Sequence, residues 1–304
     1  MTRTQAKAVD KFQLLTDKLL TLMEENKTPW LKPWHSTPYM NAISGHSYRG
    51  VNPLLATVDV MLNDYQSPLF VGFTQAKSLG WKVKKGSKAT WLVWGGTSSK
   101  EITNEETGEI QRQFFNAFKW LNVFNLDCID DSDSDRKVSH FTDKFSVNKQ
   151  NEAPRIELAE KFIQAQNAKV KFGGNVACYT ASLDKITMPR YEEFRDAETY
   201  YATFSHELSH WTAHADRLNR PLNGKFGSQA YAFEELIAEI SAAFICNELS
   251  IKCELEHHAS YLSSWIQILK SDNKAFIKAA TSAQKAARYL LSNAGMSTEE
   301  ENAA

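Results

Sequence analysis

The segment from Ser205 to His210 constrains this chain more than any other, because it contains the pattern His-Glu-x-x-His. Residues four apart lie on one face of an α-helix, so the imidazoles of His206 and His210 can face one metal ion. Glu207, next to His206, can then polarise a water molecule bound to that ion. The pattern predicts a metal site on a helix; the alternative is a chance match on an ordinary amphipathic helix.

The residues around this pattern favour a helix over 197–218. Large apolar and aromatic side chains recur there at three- and four-residue spacing, namely Tyr200, Tyr201, Phe204, Leu208 and Trp211. The acidic residues Asp196 and Glu198 stand near the predicted start, and Pro221 follows the predicted end.

The composition indicates a chain that folds around proper cores, with 304 residues, 42% hydrophobic and 23% charged. Its charge is uneven. Residues 1–127 hold fifteen Lys/Arg and eleven Asp/Glu, whereas residues 128–304 hold twenty and twenty-five. The basic excess favours an anion-binding front half. The acidic run 127–135 and the polar residues after it predict a solvated linker.

The cysteines and the first residues bear on location. Cys128, Cys178, Cys246 and Cys253 form no Cys-x-x-Cys pair, and the sequence begins without the apolar core of a signal peptide. Reduced thiols in the cytoplasm are therefore expected. No apolar run is long enough to span a bilayer, so we expect no membrane partner.

The front half combines lysines with tryptophans. Four lysines fall within seven residues between Trp81 and Trp91, namely Lys82, Lys84, Lys85 and Lys88. Single-stranded nucleic acid requires both cations for its phosphates and flat rings for its unstacked bases. A proline-stiffened segment, 29–35, places two more tryptophans beside Lys32. The alternative is a solvated basic turn above an ordinary aromatic core.

The order of motifs along the chain carries a resemblance to a known family. The front motifs are Pro29-Trp30-Leu31-Lys32-Pro33-Trp34, Asn41, Tyr48-Arg49-Gly50, Asn52, Thr74-Gln75-Ala76-Lys77, Gly80, Val83-Lys84-Lys85-Gly86 and Val123-Phe124-Asn125. The back motifs are Tyr179, Asp184, Ile186, Met188-Pro189 and the segment from His206 to Arg217. This order resembles the ArdC-type antirestriction proteins of plasmids and phages. A related domain fronts some plasmid primases.

The resemblance implies an α+β fold with two domains. A small mixed α/β domain at 1–127 is expected to bind single-stranded DNA without sequence specificity. A linker at 128–152 and a mainly helical, zincin-like metallopeptidase domain at 153–304 follow. The candidate DNA contacts are Trp30, Lys32, Trp34, Tyr48, Arg49, Lys77, Trp81, Lys82, Lys84, Lys85 and Lys88.

The implied role is protection of incoming plasmid or phage DNA from host restriction, with single-stranded DNA as the partner and a peptide or restriction-system protein as a further substrate. Two alternatives stay open. One is an active cytosolic zinc metallopeptidase targeted to DNA-bound proteins, and the other is a DNA-binding accessory of a plasmid primase.

The apolar helix after Ser228 carries three carboxylates, and a buried carboxylate is costly unless it is paired or bound to a metal. By resemblance to zinc hydrolases with two histidines and a glutamate, Glu235 is expected to be the third ligand of Zn²⁺ or another divalent metal. Glu239, one turn on, is expected to accept a hydrogen bond from a ligating imidazole. Glu239 or His214 as the third ligand, and solvent-facing carboxylates, are the alternatives. Glu207 is then the general base.

Overall fold

The computed structural model describes residues 10–25, 27, 39–103, 110–142, 152–174, 176–222, 224, 227–253 and 261–296, with side chains left out for 96–103, 110–117 and 152–155. Trp30, Lys32 and Trp34 lie outside the described residues. The described chain forms two compact units. The front unit comprises residues 39–59 and 65–142, and the rear unit comprises the remainder. This two-part mixture of helices and strands confirms the predicted α+β class.

The first helix, α1 (Lys11–Glu24), belongs to the rear unit. Thr16 Oγ1 donates a hydrogen bond of 3.1 Å to the carbonyl of Asn273, and Lys270 forms an ion pair with Glu24 at 3.2 Å. The front domain expected from the sequence, 1–127, includes this helix. In the structure, however, its side chains contact residues more than two hundred positions further along the chain. Sequence order alone does not show this packing.

The front unit is built on a four-stranded sheet in the order β1-β2-β5-β4, with a separate β3-β6 pair. Along the chain the elements are β1 (Met40–Asn41), α2 (Asn52–Asn63), β2 (Leu69–Gly72), α3 (Phe73–Ser78), β3 (Lys82–Val83), β4 (Thr90–Thr103), β5 (Ile110–Asn125), β6 (Ile129–Asp130) and α4 (Ser139–Thr142). β1 runs parallel to β2, and the other pairs are antiparallel.

The β4–β5 hairpin is longer than its polar sequence predicts. Polarity and a glycine predict a loop over 98–108, yet β4 pairs with β5 from Thr90 opposite Val123 to Thr103 opposite Ile110. Threonine and isoleucine favour extended backbone, and a strand can carry polar residues on a face turned to water. The predicted start of the loop at 98 is therefore wrong, and its predicted end at 108 lies outside the described residues.

The acidic segment after β5 is folded where the sequence predicts a linker. Residues 126–142 belong to the front unit, with β6 paired to β3 and Ile129 buried. The indole Nε1 of Trp81 donates to the carbonyl of Arg136, which satisfies the polar atom of a buried tryptophan. Apolar residues interspersed in this acidic run thus fix it to the unit. Residues 126–142 are therefore part of the front unit rather than a linker.

The rear unit joins a bundle of helices to a three-stranded sheet in the order β7-β9-β8. Its elements after α1 are α5 (Glu152–Gln164), β7 (Lys169–Phe172), β8 (Cys178–Thr180), β9 (Lys185–Met188), α6 (Ala197–Trp211), α7 (Gln229–Glu248), α8 (Leu262–Ser271) and α9 (Ala275–Asn293). β7 is parallel to β9, whereas β8 is antiparallel to β9 and lies at an edge of the sheet.

Helix α7 packs between α6 and α9. Its buried alanines, and those of α9, present small side chains that let helices approach closely; they are Ala232, Ala238, Ala242, Ala243, Ala275, Ala279, Ala280, Ala283, Ala286 and Ala287. A buried hydrogen bond of 2.8 Å joins Ser209 on α6 to Ser241 on α7. This packing sets the distance between the two helices that carry the candidate site.

Helix α6 begins as predicted but ends seven residues earlier, at Trp211 rather than 218. Asp196 caps its start by accepting a hydrogen bond of 2.7 Å from the amide of Thr199. At the other end the guanidinium of Arg217 donates to the carbonyl of Trp211. This carbonyl belongs to the last turn, where the helix itself supplies no donor, so it accepts from Arg217 and from the amide of His214 at 3.3 Å.

Candidate functional site

The structure brings three potential metal ligands together. His206 and His210 lie on α6, and Glu235 lies on α7. The Nε2 atoms of the histidines are 3.1 Å apart. Nε2 of His206 is 3.5 Å from one carboxylate oxygen of Glu235, and Nε2 of His210 is 3.5 Å from the other. The three ligand groups therefore converge on one point.

These separations fit a divalent metal ion. Tetrahedral coordination with bonds of about 2.0–2.1 Å places neighbouring donor atoms about 3.3 Å apart. The observed separations, 3.1 and 3.5 Å, bracket that value. Two imidazole nitrogens and a carboxylate oxygen form a donor set that suits Zn²⁺ and other first-row divalent ions.

The electrostatics of the site favour a cation. Burial acts to lower the pKa of His210, but Glu234 and Glu235 outweigh it and raise that pKa to about 10. Burial likewise opposes protonation of His206, yet Glu235 tips the balance and its pKa is raised. Burial would raise the pKa of Glu235, but the two histidines hold it well below its usual range. The pocket therefore stabilises positive charge between these groups.

Glu207 is placed for proton transfer. Its side chain is buried on α6 beside His206, and burial raises its pKa above the ordinary value. The backbone N–H of Tyr179, in β8, donates a hydrogen bond to its carboxylate. A buried carboxylate with a raised pKa holds and releases a proton closer to neutral pH than an exposed one.

Glu234, which is not among the predicted site residues, contacts His210. Oε1 of Glu234 lies 3.4 Å from Nδ1 of His210. Arg220 donates to both oxygens of Glu234, at 2.6 and 3.1 Å, and to the carbonyl of Ser209 at 2.9 Å. A carboxylate on the far nitrogen of a ligating imidazole fixes its tautomer and orientation. The sequence alone does not indicate these contacts, because they depend on the path of the loop that brings Arg220 to Glu234.

Glu239 does not make the hydrogen bond predicted for it. Its Oε2 and the Nδ1 of His206 are both buried without a hydrogen-bond partner in the described part of the chain. Burial raises the pKa of Glu239 to about 7. The contact with a candidate ligand's Nδ1 is instead made by Glu234, because Arg220 holds that carboxylate against His210.

His214 lies outside the cluster. Helix α6 has ended at Trp211, so the helical spacing that aligns His206 with His210 no longer applies. The Nδ1 of His214 accepts a hydrogen bond of 3.2 Å from the amide of Asp216. The third position of the cluster belongs to Glu235.

Three back-half motif residues join the strand β8 to the end of α6. Arg217 forms an ion pair with Asp184 and donates at 3.3 Å to the hydroxyl of Tyr179, which itself donates to Asp184 at 2.9 Å. The guanidinium of Arg217 also lies 3.9 Å from the ring centre of Trp211. Because the amide of Tyr179 contacts Glu207, this network holds an edge strand beside the candidate base.

Two aromatic residues predicted to contact DNA are buried in the front unit. Trp81 is 3% exposed and packs edge-on against Phe141 at 5.3 Å. Tyr48 is buried against Phe70, with ring centres 5.8 Å apart. Neither ring presents a face on which a base can stack, so both are core residues.

The predicted basic contacts differ in their surroundings. Lys82 forms an ion pair with Asp133, and Nζ of Lys84 donates to the carbonyl of Asp127 at 2.9 Å. The acidic segment therefore contacts two of the four lysines of the basic turn. All six predicted basic contacts of the front unit are exposed, namely Arg49, Lys77, Lys82, Lys84, Lys85 and Lys88, so Lys82 and Lys84 differ from the others by their partners and not by burial.

These features define the class of the rear unit. A helix with His-Glu-x-x-His, a carboxylate from the next helix, and a sheet whose antiparallel edge strand lies beside the motif are the parts of a zincin-like metallopeptidase. The sequence matches the family described as zincin-like metallopeptidase over residues 157–282. It matches the N-terminal domain of the anti-restriction factor ArdC over residues 9–124.

Comparison with whole proteins gives the family. The antirestriction protein ArdC of plasmid R388, in a metal-free crystal structure, is 33% identical, with a TM-score of 0.74 over 96% of this chain and 100% of that one. Its Mn(II)-bound structure is 32% identical, with a TM-score of 0.71 over 94% and 98%. The chain belongs to the ArdC family of antirestriction proteins.

Two curated relatives extend this comparison. Protein y4eC of Sinorhizobium fredii (strain NBRC 101917 / NGR234) is 31% identical over 95% of this chain and 94% of its own length. DNA primase TraC of Escherichia coli is 30% identical over 91% of this chain, which spans only 26% of that longer protein. The family and the donor set together indicate a divalent-metal site. None of the described helices is long and apolar enough to cross a bilayer.

Proposed function

We propose that this antirestriction protein binds single-stranded DNA without sequence specificity and thereby protects incoming plasmid or phage DNA from host restriction. The observation that carries the proposal is the likeness to ArdC of R388 along nearly the whole of both chains. Because that DNA enters the cytoplasm, we place the protein there.

The exposed cations of the front unit support binding to the DNA backbone. Lys77, Lys85 and Lys88 are exposed. Lysines that neutralise phosphates release condensed counterions, which gives affinity that is independent of sequence and falls with added salt.

The test is the affinity for a single-stranded oligonucleotide measured across a range of salt concentrations. A steep loss of affinity with salt is expected, with a slope near −0.7 for each phosphate contact. Replacing Lys85 and Lys88 with alanine lowers the slope, whereas Lys252→Ala, an exposed lysine of the rear unit, leaves it unchanged. Affinity that does not respond to salt contradicts the proposal.

A second activity, zinc-dependent peptide hydrolysis, is favoured by the cluster of His206, His210 and Glu235 next to Glu207. We propose these three as the ligands of Zn²⁺ and Glu207 as the general base. When bound there, zinc supplies a Lewis acid and a water molecule whose pKa is lowered to about 7. Glu207 accepts a proton from the attacking water and delivers it to the leaving amine.

The edge strand β8 supports a peptide substrate, because an extended chain can add to an open sheet edge through backbone hydrogen bonds. The substrate we propose is a restriction-system protein or another protein bound to DNA. The test is cleavage of such proteins by the purified chain, with and without a metal chelator. Fragments that form equally in both reactions contradict the assignment. The third role, as an accessory of a plasmid primase, depends only on the partial likeness to TraC.

A further inference from the structure

Strands β4 and β5 of the front sheet carry aromatic side chains on a shared face. Residues directly opposite each other in an antiparallel pair share a face, as do alternate residues along one strand. Trp91 pairs with Asn122, two positions from Trp120, and Gly95 pairs with Phe118. Trp91, Phe118 and Trp120 therefore lie on the same face of β4 and β5.

Helix α3 extends this face. Phe124 continues the alternation of Phe118 and Trp120 along β5, and the ring of Phe73, at the start of α3, lies 6.3 Å from the ring of Phe124. The rings of Phe118 and Trp120 are 5.4 Å apart and perpendicular. We call the four residues Phe73, Trp91, Phe118 and Trp120 the aromatic row.

The aromatic row is open to solvent at both ends. Phe73 is 59% exposed and Phe118 is 49% exposed. Among the described side chains of β4 and β5, the buried ones belong to the other face, where Leu92 and Val123 lie in the core. Adjacent exposed aromatic rings mark a surface that meets a partner.

The charge around the aromatic row matches a polyanion. Its members lie in the segments 69–78, 89–95 and 118–125, which contain no aspartate or glutamate. Of the two lysines in these segments, Lys119 pairs with Trp94 on the opposite face of the sheet, which leaves Lys77 for the aromatic row. Lys77 follows Phe73 by four residues and so shares its side of α3. In the basic turn, by contrast, Asp133 pairs with Lys82.

We propose that the aromatic row is where unpaired bases of single-stranded DNA stack, with Lys77 meeting the phosphates. Aromatic rings take any base, because every base has a π-face, and lysines take any phosphate. This inference rests on the proposed function of the front unit. It replaces the buried rings of Tyr48 and Trp81 as the stacking surface.

The experiment compares Phe118→Ala with Trp94→Ala in the full chain. Trp94 is 45% exposed on the same strand pair, but its partner in the register is Lys119, so it lies on the opposite face. Both proteins are tested for binding to a fluorescent oligo(dT) at one salt concentration, and their folding is checked by circular dichroism and thermal melting. Phe118→Ala is expected to bind roughly 5- to 150-fold more weakly than wild type, and Trp94→Ala within about twofold of it.

The outcomes separate the inference from the function it rests on. If wild type binds oligo(dT) and Phe118→Ala binds it equally well, the aromatic row is not the stacking surface, although the proposal that the protein binds DNA stands. The row then faces a protein. Equal losses in the two variants overturn the choice of face. Wild type that does not bind overturns both proposals. If Phe118→Ala does not fold, Phe73→Ala, on the most exposed ring of the row, decides by the same criteria.

Discussion

Arg220 donates hydrogen bonds to both carboxylate oxygens of Glu234, at 2.6 and 3.1 Å, and so holds that carboxylate against the ring of His210. Burial would raise the pKa of Glu234, but His210 and Arg220 together lower it, so the group stays ionised. The loop after α6 thus fixes a side chain of α7, and that side chain orients a candidate metal ligand on α6.

Replacing Glu234 with glutamine is expected to weaken metal binding by roughly 10- to 100-fold, because the imidazole of His210 loses the acceptor that orients it. Titration calorimetry with Zn²⁺ measures the change directly. Glu192→Gln, an exposed glutamate ahead of α6, is the matched control and should bind metal as wild type does. Unchanged affinity in Glu234→Gln shows that this contact does not orient the ligand.

Replacing Glu207 with glutamine removes the proton acceptor while leaving His206, His210 and Glu235 in place. The variant is expected to keep its metal, measured by elemental analysis, and to lose any peptidase activity by roughly 10²- to 10⁴-fold. Full cleavage by the metal-loaded variant refutes the role of Glu207.

The network around Arg217 is expected to contribute to stability. Hydrogen bonds to charged groups contribute about 1.5–3 kcal/mol, and the guanidinium of Arg217 is largely buried. Arg217→Ala should therefore lower the free energy of unfolding in urea by about 2 kcal/mol. Lys278→Ala breaks the exposed pair with Asp272 and should cost no more than about 0.5 kcal/mol. Similar losses in the two variants contradict a structural role for the network.

The cap of α6 gives a pH-dependent prediction. The backbone and side chain of Thr199 donate to Asp196 and lower its pKa to about 2. A carboxyl with a depressed folded-state pKa stabilises the fold fully above its unfolded pKa, near 4, and loses that effect as pH falls through 2. Asp196→Ala should therefore cost about 1 kcal/mol at pH 6, and the difference from wild type should shrink between pH 4 and pH 2. A difference that stays constant across this range contradicts the assignment.

The burial of Trp81 separates stability from binding in the front unit. Trp81→Phe keeps a ring in the core but removes the indole donor to the carbonyl of Arg136. The variant should lose about 1 kcal/mol of stability, measured by thermal melting, and should bind single-stranded DNA within about twofold of wild type. A large loss of affinity in the folded variant restores Trp81 as a DNA contact.

The candidate metal site was more accessible from sequence than the DNA surface, for a physical reason. The alignment of His206 with His210 depends on helical spacing alone, which is local. Glu235 followed from the likeness to two-histidine, one-glutamate hydrolases. The contact of Glu234 with His210 could not be predicted in this way, because it depends on where the loop after α6 places Arg220.

The aromatic residues of the front unit show the opposite situation. Trp81 and Phe118 look alike in sequence, since each is an aromatic residue followed directly by lysine. Only the register of β4 with β5, and the folding of the acidic segment over Trp81, distinguish a core ring from an exposed one. Alternation of aromatic residues along β5 was the available signal for a shared face.

Protection of DNA by the front unit can be measured as the efficiency with which plasmid DNA establishes itself in a restricting host. The host carries wild type, Glu207→Ala, or the double variant Lys85→Ala with Lys88→Ala. We expect Glu207→Ala to protect the plasmid as well as wild type does, and the double lysine variant to protect it poorly. Protection that is lost in Glu207→Ala and retained in the lysine variant would contradict this expectation, and would make hydrolysis the function.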